Sequence, residues 1–141
     1  MEQNIKSVAI IAETYQPPLQ YKDEFEDRWE HAKPYIIRAL KHTDCYNIKD
    51  VEDGIRSGTF HLWNGEKSAM ITEIIQYPRL RALNLLFCGG DYEELQSMLP
   101  SLEQFAKHFG CVRLYGGGRK GWHKKIKHLG FEQEYMIRKE L

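Results

Sequence analysis

Apolar and polar positions follow two rhythms along this chain, and the switch between them marks its elements. An early apolar run, Ile5–Thr14, predicts a strand that Pro17-Pro18 stops. Helical spacing comes next. Asp23–Ala32 opens with Asp23, Glu24, Glu26 and Asp27, which suit a helix N-terminus, and carries Phe25, Trp29 and Ala32 as its stripe. Pro34 should break or restart this helix, and Tyr35–His42 resumes it with Ile36, Ile37 and Leu40. Asp50 can cap a short helix, Val51–Ser57, that Gly58 ends. The period then drops to two. Thr59–Trp63 and Ser68–Tyr77 flank Asn64-Gly65, a hairpin signal. Alternation sets Ala69, Ile71, Glu73, Ile75 and Tyr77 on one face and Met70 and Ile74 on the other, so this strand should be central.

The next stretch is a continuous apolar run, Ala82–Cys88, which predicts a buried strand. Gly89-Gly90-Asp91 hands it to a long helix whose stripe is Leu95, Met98, Leu99, Leu102, Phe105, Ala106 and Phe109, with Asp91 as cap, a kink at Pro100 and Gly110 as stop. Cys111–Tyr115 is a second apolar strand. Gly116-Gly117-Gly118, a basic helix over about Gly121–Leu129 closed by Gly130, and a last strand, Phe131–Lys139, complete the order. Antiparallel strands first and a parallel βαβ unit later define an α+β fold with a mixed, mainly antiparallel sheet, expected as a single domain over residues 1–141.

Composition narrows the class. The 141 residues are 42% hydrophobic and 28% charged, enough for one folded core. Twenty basic and twenty acidic residues give zero formal charge, so a whole-molecule field that captures nucleic acid is not expected. Three widely spaced cysteines with no CxxC pair fit reduced thiols in cytoplasm, and no run is long enough for a membrane span or a signal peptide.

Candidate chemistry gathers late in the chain. Each glycine turn leaves a helix N-terminus with unpaired N–H groups, where an anionic group can bind. Gly89 and Gly90 either let a pyrophosphate approach the backbone or simply make a tight turn. Glu73 on a central strand could serve as general base for an incoming amine, or pair with Arg79 or Arg81. Tyr115 could supply a proton, or be a half-buried packing residue. Arg119–His128 holds five Lys/Arg and no acid. It could bind cofactor phosphates or a nucleic-acid backbone with Trp122 stacking, or form a solvated helix with Trp122 and Ile126 inward. His123 and His128 are five apart, the wrong spacing for a metal on one helix face, and His42-x-x-Cys45 is a weak signal.

The element order, the Asn64-Gly65 hairpin, the strand–Gly-Gly–helix unit and the Leu129-Gly130-Phe131 ending resemble the GNAT acetyltransferase superfamily across nearly the whole chain. The stretches GTFHLW, YPRLRAL, FCGGD, FAKHFGC and GRKGW are similar to small GNAT-like proteins encoded by tailed bacteriophages, some of them acetyltransferases and some virion components. The resemblance implies that the strand before the long helix splays from the next and that acetyl-CoA lies in the gap. Phe87, Cys88, Gly89, Gly90, Asp91, Tyr92, Arg119 and Trp122 would then bind the cofactor, and Glu73 and Tyr115 would be catalytic. It further implies an amine or protein-lysine acceptor, or virion proteins as partners, and the host cytoplasm or the virion as location. Two departures stand out. The superfamily's Q/R-x-x-G-x-G/A loop is reduced to Cys88-Gly89-Gly90-Asp91, and Ile126 occupies the position of a tyrosine general acid. An aspartate there opposes a diphosphate unless it turns inward as a cap. Three readings therefore stay open: an acetyl-CoA-dependent N-acyltransferase, a non-catalytic phage structural or interaction protein on the same fold, and a nucleic-acid or host-factor binding module.

Overall fold

A computed structural model describes residues 25–117 and 121–141. The expected first strand, Ile5–Thr14, lies outside these residues, as do Asp23, Glu24, Gly118 and Arg119.

Helix α1 (Phe25–Leu40) runs unbroken through Pro34, where a break or restart was expected. Trp29 and Ala32 on one side of the proline and Ile36 on the other are all buried in the same core. A large buried side chain contributes about 1.5–3 kcal/mol, so anchors on both sides offset the roughly 3 kcal/mol that an interior proline costs. Helix α2 (Ile48–Ser57) begins three residues before the expected start. Its cap is Asn47, and Asp50 is the returning partner of a capping box, with Asn47 Oδ1 and Asp50 Oδ2 each accepting a backbone N–H at 2.9 Å.

Strands β1 (His61–Asn64), β2 (Ser68–Gln76), β3 (Arg81–Gly90) and β4 (Arg113–Gly116) form one sheet in the order β1-β2-β3-β4. The first three are antiparallel, and β3 pairs β4 in parallel. The hairpin is where the sequence predicts it, but its turn is Gly65-Glu66-Lys67 rather than Asn64-Gly65. Asn64 is buried in β1, where its amide donates to the Arg28 carbonyl of α1 at 3.1 Å. That bond fixes it as a strand residue.

The expected long helix is two. Asp91 caps α3 (Tyr92–Ser97), and α4 (Leu99–His108) restarts at Met98 with Pro100 in its first turn, where a missing N–H costs nothing. After β4 comes α5 (Trp122–Ile126), which a 3₁₀ turn extends to Leu129 and Gly130 closes. No strand forms over Phe131–Lys139; the chain there has no ladder partner among the described residues. Its apolar residues Tyr135, Met136 and Ile137 find no core to enter and stay exposed.

Two hydrophobic cores use opposite faces of the sheet. One sets Trp29, Ala32, Ile36 and Val51 of α1 and α2 against Leu62, Ala69, Ile71 and Phe87. The other sets Leu95, Met98, Leu102, Phe105 and Phe109 of α3 and α4 against Trp63, Met70, Leu83 and Leu85. The two faces of β2 match the alternation expected for it.

Candidate functional site

The site is set by where β3 and β4 stop pairing. Their ladder runs from Ala82↔Arg113 to Leu85↔Gly116 and ends there. β3 continues for five more residues, to Gly90, where β2 is its ladder partner among the described residues. At the same level the β2–β3 register shifts, with Thr72 opposite Leu85 and Ile71 opposite Phe87. Leu86 is the extra residue of a β-bulge, which bends a strand and raises its twist. The bulge also reverses which face the odd-numbered residues of β3 occupy: Leu85 belongs to the α3–α4 core, Phe87 to the α1–α2 core. The bulge thus sits at the level where the β3–β4 ladder ends, which is where β4 itself ends at Gly116.

Beside the end of the ladder lies an apolar cavity of ≈ 40 Å³, lined by residues that include Leu85, Cys88, Tyr92, Trp122, Ile126 and Phe131. Of the expected cofactor-binding residues, Cys88, Tyr92 and Trp122 meet here. Burial pushes the Cys88 thiol up to about 12, so it is a neutral apolar wall and no nucleophile. Tyr92 ties α3 to α5: its hydroxyl donates to the Lys125 carbonyl at 2.9 Å and its ring meets Trp122 edge-on at 5.7 Å. Ile126 faces this cavity, which is the inward reading of the basic helix.

Gly89, Gly90 and Asp91 form the turn above. Gly89 packs against α1, where a Cβ would overlap the Tyr35 carbonyl. Gly90 has φ +105°, open to glycine and rare for other residues. The Asp91 carboxylate turns inward as a cap, accepting the Glu93 N–H at 3.0 Å, while the Asp91 N–H donates to the Lys67 carbonyl at 2.9 Å. Two main-chain donors of this turn are thus committed within the protein. Phe87 points the other way, into the α1–α2 core beside Tyr46. Arg119 lies outside the described residues.

On the α1–α2 face, one row crosses three strands. Glu73 of β2 is opposite Asn84 of β3, which is opposite Tyr115 of β4. This row is one position short of the last β3–β4 pair. Strands lie about 4.8 Å apart, which puts Glu73 and Tyr115 roughly 10 Å apart with Asn84 between them. Glu73 does not pair with Arg79 or Arg81. Its carboxylate accepts the Asn84 amide at 3.1 Å, while Arg81 donates to Gln76 and to the Phe109 carbonyl, both at 2.7 Å. The Glu73 charge also reaches Tyr46, whose phenol is raised by burial first and by that carboxylate second. Tyr115 is half-buried, with its oxygen accepting from Arg113 at 2.6 Å and its ring 6.1 Å from Tyr77. A phenol oxygen that accepts from a guanidinium keeps its own O–H available to donate.

Sequence reasoning passed over Asn84, Tyr46 and Arg113. One signal for Asn84 was present, as the single polar residue inside Ala82–Cys88. Nothing local marks the other two.

Comparison with solved structures shows the fold. Over 82% of this chain and 90% of the other, it superposes on an aminoglycoside N-acetyltransferase in complex with CoA, at TM-score 0.62 and 12% identity. A probable acetyltransferase matches at TM-score 0.59 and 14% identity, covering 83% of this chain and 91% of its own. A ribosomal-protein-alanine N-acetyltransferase from Brucella melitensis matches at TM-score 0.56 and 12% identity, covering 80% and 94%. The chain thus has the α+β fold of GNAT acetyltransferases. No family model matches the sequence, and no curated protein does.

Proposed function

We propose that this protein is an acetyl-CoA-dependent N-acyltransferase acting on an amine, on a small molecule or a protein lysine. The observation that carries this reading is the end of the β3–β4 ladder at Leu85↔Gly116 beside the row Glu73–Asn84–Tyr115. Fold neighbours that acetylate aminoglycosides and ribosomal protein support an amine acceptor.

In this reading the pantetheine arm lies in the gap past Leu85 and Gly116, over the apolar wall of Cys88 and Trp122. Glu73, held in place by Asn84, takes the proton from the incoming amine, directly or through water. Tyr115, with its oxygen engaged by Arg113, returns a proton to the departing thiolate. Most of the acceleration comes from holding amine and thioester in line. Because the turn at Gly89–Asp91 has already committed two N–H donors, the diphosphate depends on the basic helix, including Lys124, Lys125 and Lys127.

The test is a melting curve with and without CoA. A ligand present at a hundred times its dissociation constant adds about 2.7 kcal/mol to the native state. That is a rise of several degrees for a protein of this size. No shift at millimolar CoA would remove the proposal.

The sequence resemblance to small phage proteins supports a phage origin and action in the host cytoplasm. Mass spectrometry of purified particles distinguishes this from a virion component, which the loss of a tyrosine at Ile126 favours.

A further inference from the structure

We propose that residues 121–130, α5 with its 3₁₀ turn, are a lid over an apolar binding cavity, and that Tyr92 is the latch that holds it shut. The piece is built to move as one. Gly121 at its start has φ +100° and Gly130 at its end has φ +93°, a region that glycine enters at little cost. A Cβ at either position would meet no atom within 4 Å, so neither hinge is packed against the body. Between the two glycines no side chain is buried. An element with so little buried surface opens at a far smaller cost than the cores it rests on.

What holds the lid is concentrated on one side chain. The Tyr92 hydroxyl accepts the Gln96 amide at 2.9 Å and donates to the Lys125 carbonyl at 2.9 Å. Its ring meets Trp122 edge-on at 5.7 Å, and the Lys125 ammonium lies 5.3 Å from the ring centre. Among the described residues this hydroxyl makes the one hydrogen bond from the lid to α3. The contact of His123 Nε2 with the Phe131 carbonyl, 3.2 Å, only spans the Gly130 hinge. Beneath the lid, Trp122 and Ile126 roof a space of ≈ 40 Å³ whose other walls include Leu85, Cys88, Leu95 and Leu99. Side chains that face a gap lack contacts on that side, which weakens the seat of the roof. By volume the space is about three times what one water needs. Its two polar lining residues, Tyr92 and Gln96, are bonded to each other, so the walls suit a short aliphatic group rather than water. In the proposed acyl transfer, on which only the identity of the ligand rests, the lid closes over the pantetheine arm.

Cys88 reports on the lid from below. Shut in, its thiol stays neutral and unreactive, and lifting the lid returns it to water. In the full chain carrying Cys45→Ser, mass spectrometry reads the labelling of Cys88 and Cys111 by N-ethylmaleimide site by site. Cys111 is packed in the α3–α4 core and follows global unfolding, so Cys88 should react faster by about tenfold or more. Tyr92→Phe keeps the ring and removes the bond to Lys125, which should raise the Cys88 rate about fivefold. Ile36→Val weakens the opposite core; it should speed Cys111 by about fivefold and leave Cys88 unchanged. Equal rates at the two cysteines overturn the proposal, as does a Cys88 that follows Ile36→Val or ignores Tyr92→Phe. Saturating CoA should slow Cys88 labelling. If CoA raises the melting point and Cys88 reacts as before, the lid proposal fails and the acyltransferase reading stands. If CoA does not bind, that reading fails, and the two variants on the free protein still decide for or against the lid.

Discussion

The His61 imidazole is sealed between β1 and α4, 2% exposed, with its ring edge-on to Phe105 at 5.3 Å. Thr72 Oγ1 lies 3.0 Å from its Nδ1 and accepts the Trp63 indole N–H at 2.9 Å, while Nε2 has no hydrogen-bond partner among the described residues. A second proton would put an unpaired charge in that core, so burial lowers the imidazole from 6.5 to about 4. Between these values the unfolded chain binds a proton that the native protein refuses. Stability is therefore complete above about pH 6.5 and falls as the pH drops toward 4. The full loss is about 3 kcal/mol. Urea midpoints at pH 7.5 and 4.5 should show it, and His61→Gln should remove that share of the slope. An equal slope in the variant would contradict the assignment. Asn84 belongs to the same scale. Its polarity within an apolar run was visible, but a lone polar residue does not say which neighbour it will meet.

At the level of elements, the turns and helix starts were largely legible because they rest on local chemistry. Asp91 caps α3 and Gly58 and Gly130 close their helices as expected. The two prolines show where locality ends. Pro34 sits inside α1 because the core grips the helix on both sides, and Pro100 begins α4 because Met98 can end α3 there. Gly89 makes the same point. The sequence allows a phosphate cradle or a tight turn, and the fold supplies a third reason, the close passage of α1. Gly89→Ala should force a Cβ into the Tyr35 carbonyl, a backbone atom that cannot rotate away. The cost of such overpacking is about 1–3 kcal/mol, or a melting point lower by about 5–10 °C in calorimetry. A variant that melts with the wild type would show that α1 yields at this point.

The whole molecule assembles the site from segments far apart in sequence. Glu73, Asn84 and Tyr115 come from three strands, and the sheet aligns them only because the β2–β3 and β3–β4 registers coincide at Asn84. On the proposed acyl transfer, Glu73→Gln and Tyr115→Phe should each lower kcat by about a hundredfold or more, as loss of a positioned acid or base does. CoA affinity should be unchanged, since neither residue lies where the cofactor's phosphates would be held. Steady-state rates with calorimetry on the same preparations check this, and a variant that loses affinity instead of turnover would move that residue from catalysis to binding.

The four strands of the sheet, the helix stripes, the cap at Asp91 and the mixed α+β class were written in spacing and residue type, since periodicity and capping act over a few neighbours, whereas the cap expected at Asp50 moved to Asn47 and the strand expected over Phe131–Lys139 did not form. The bulge at Leu86, the row through Asn84 and the close passage of α1 at Gly89 depended on which elements met and in what register. Register is a sum over contacts between distant segments, and no local pattern carries that sum.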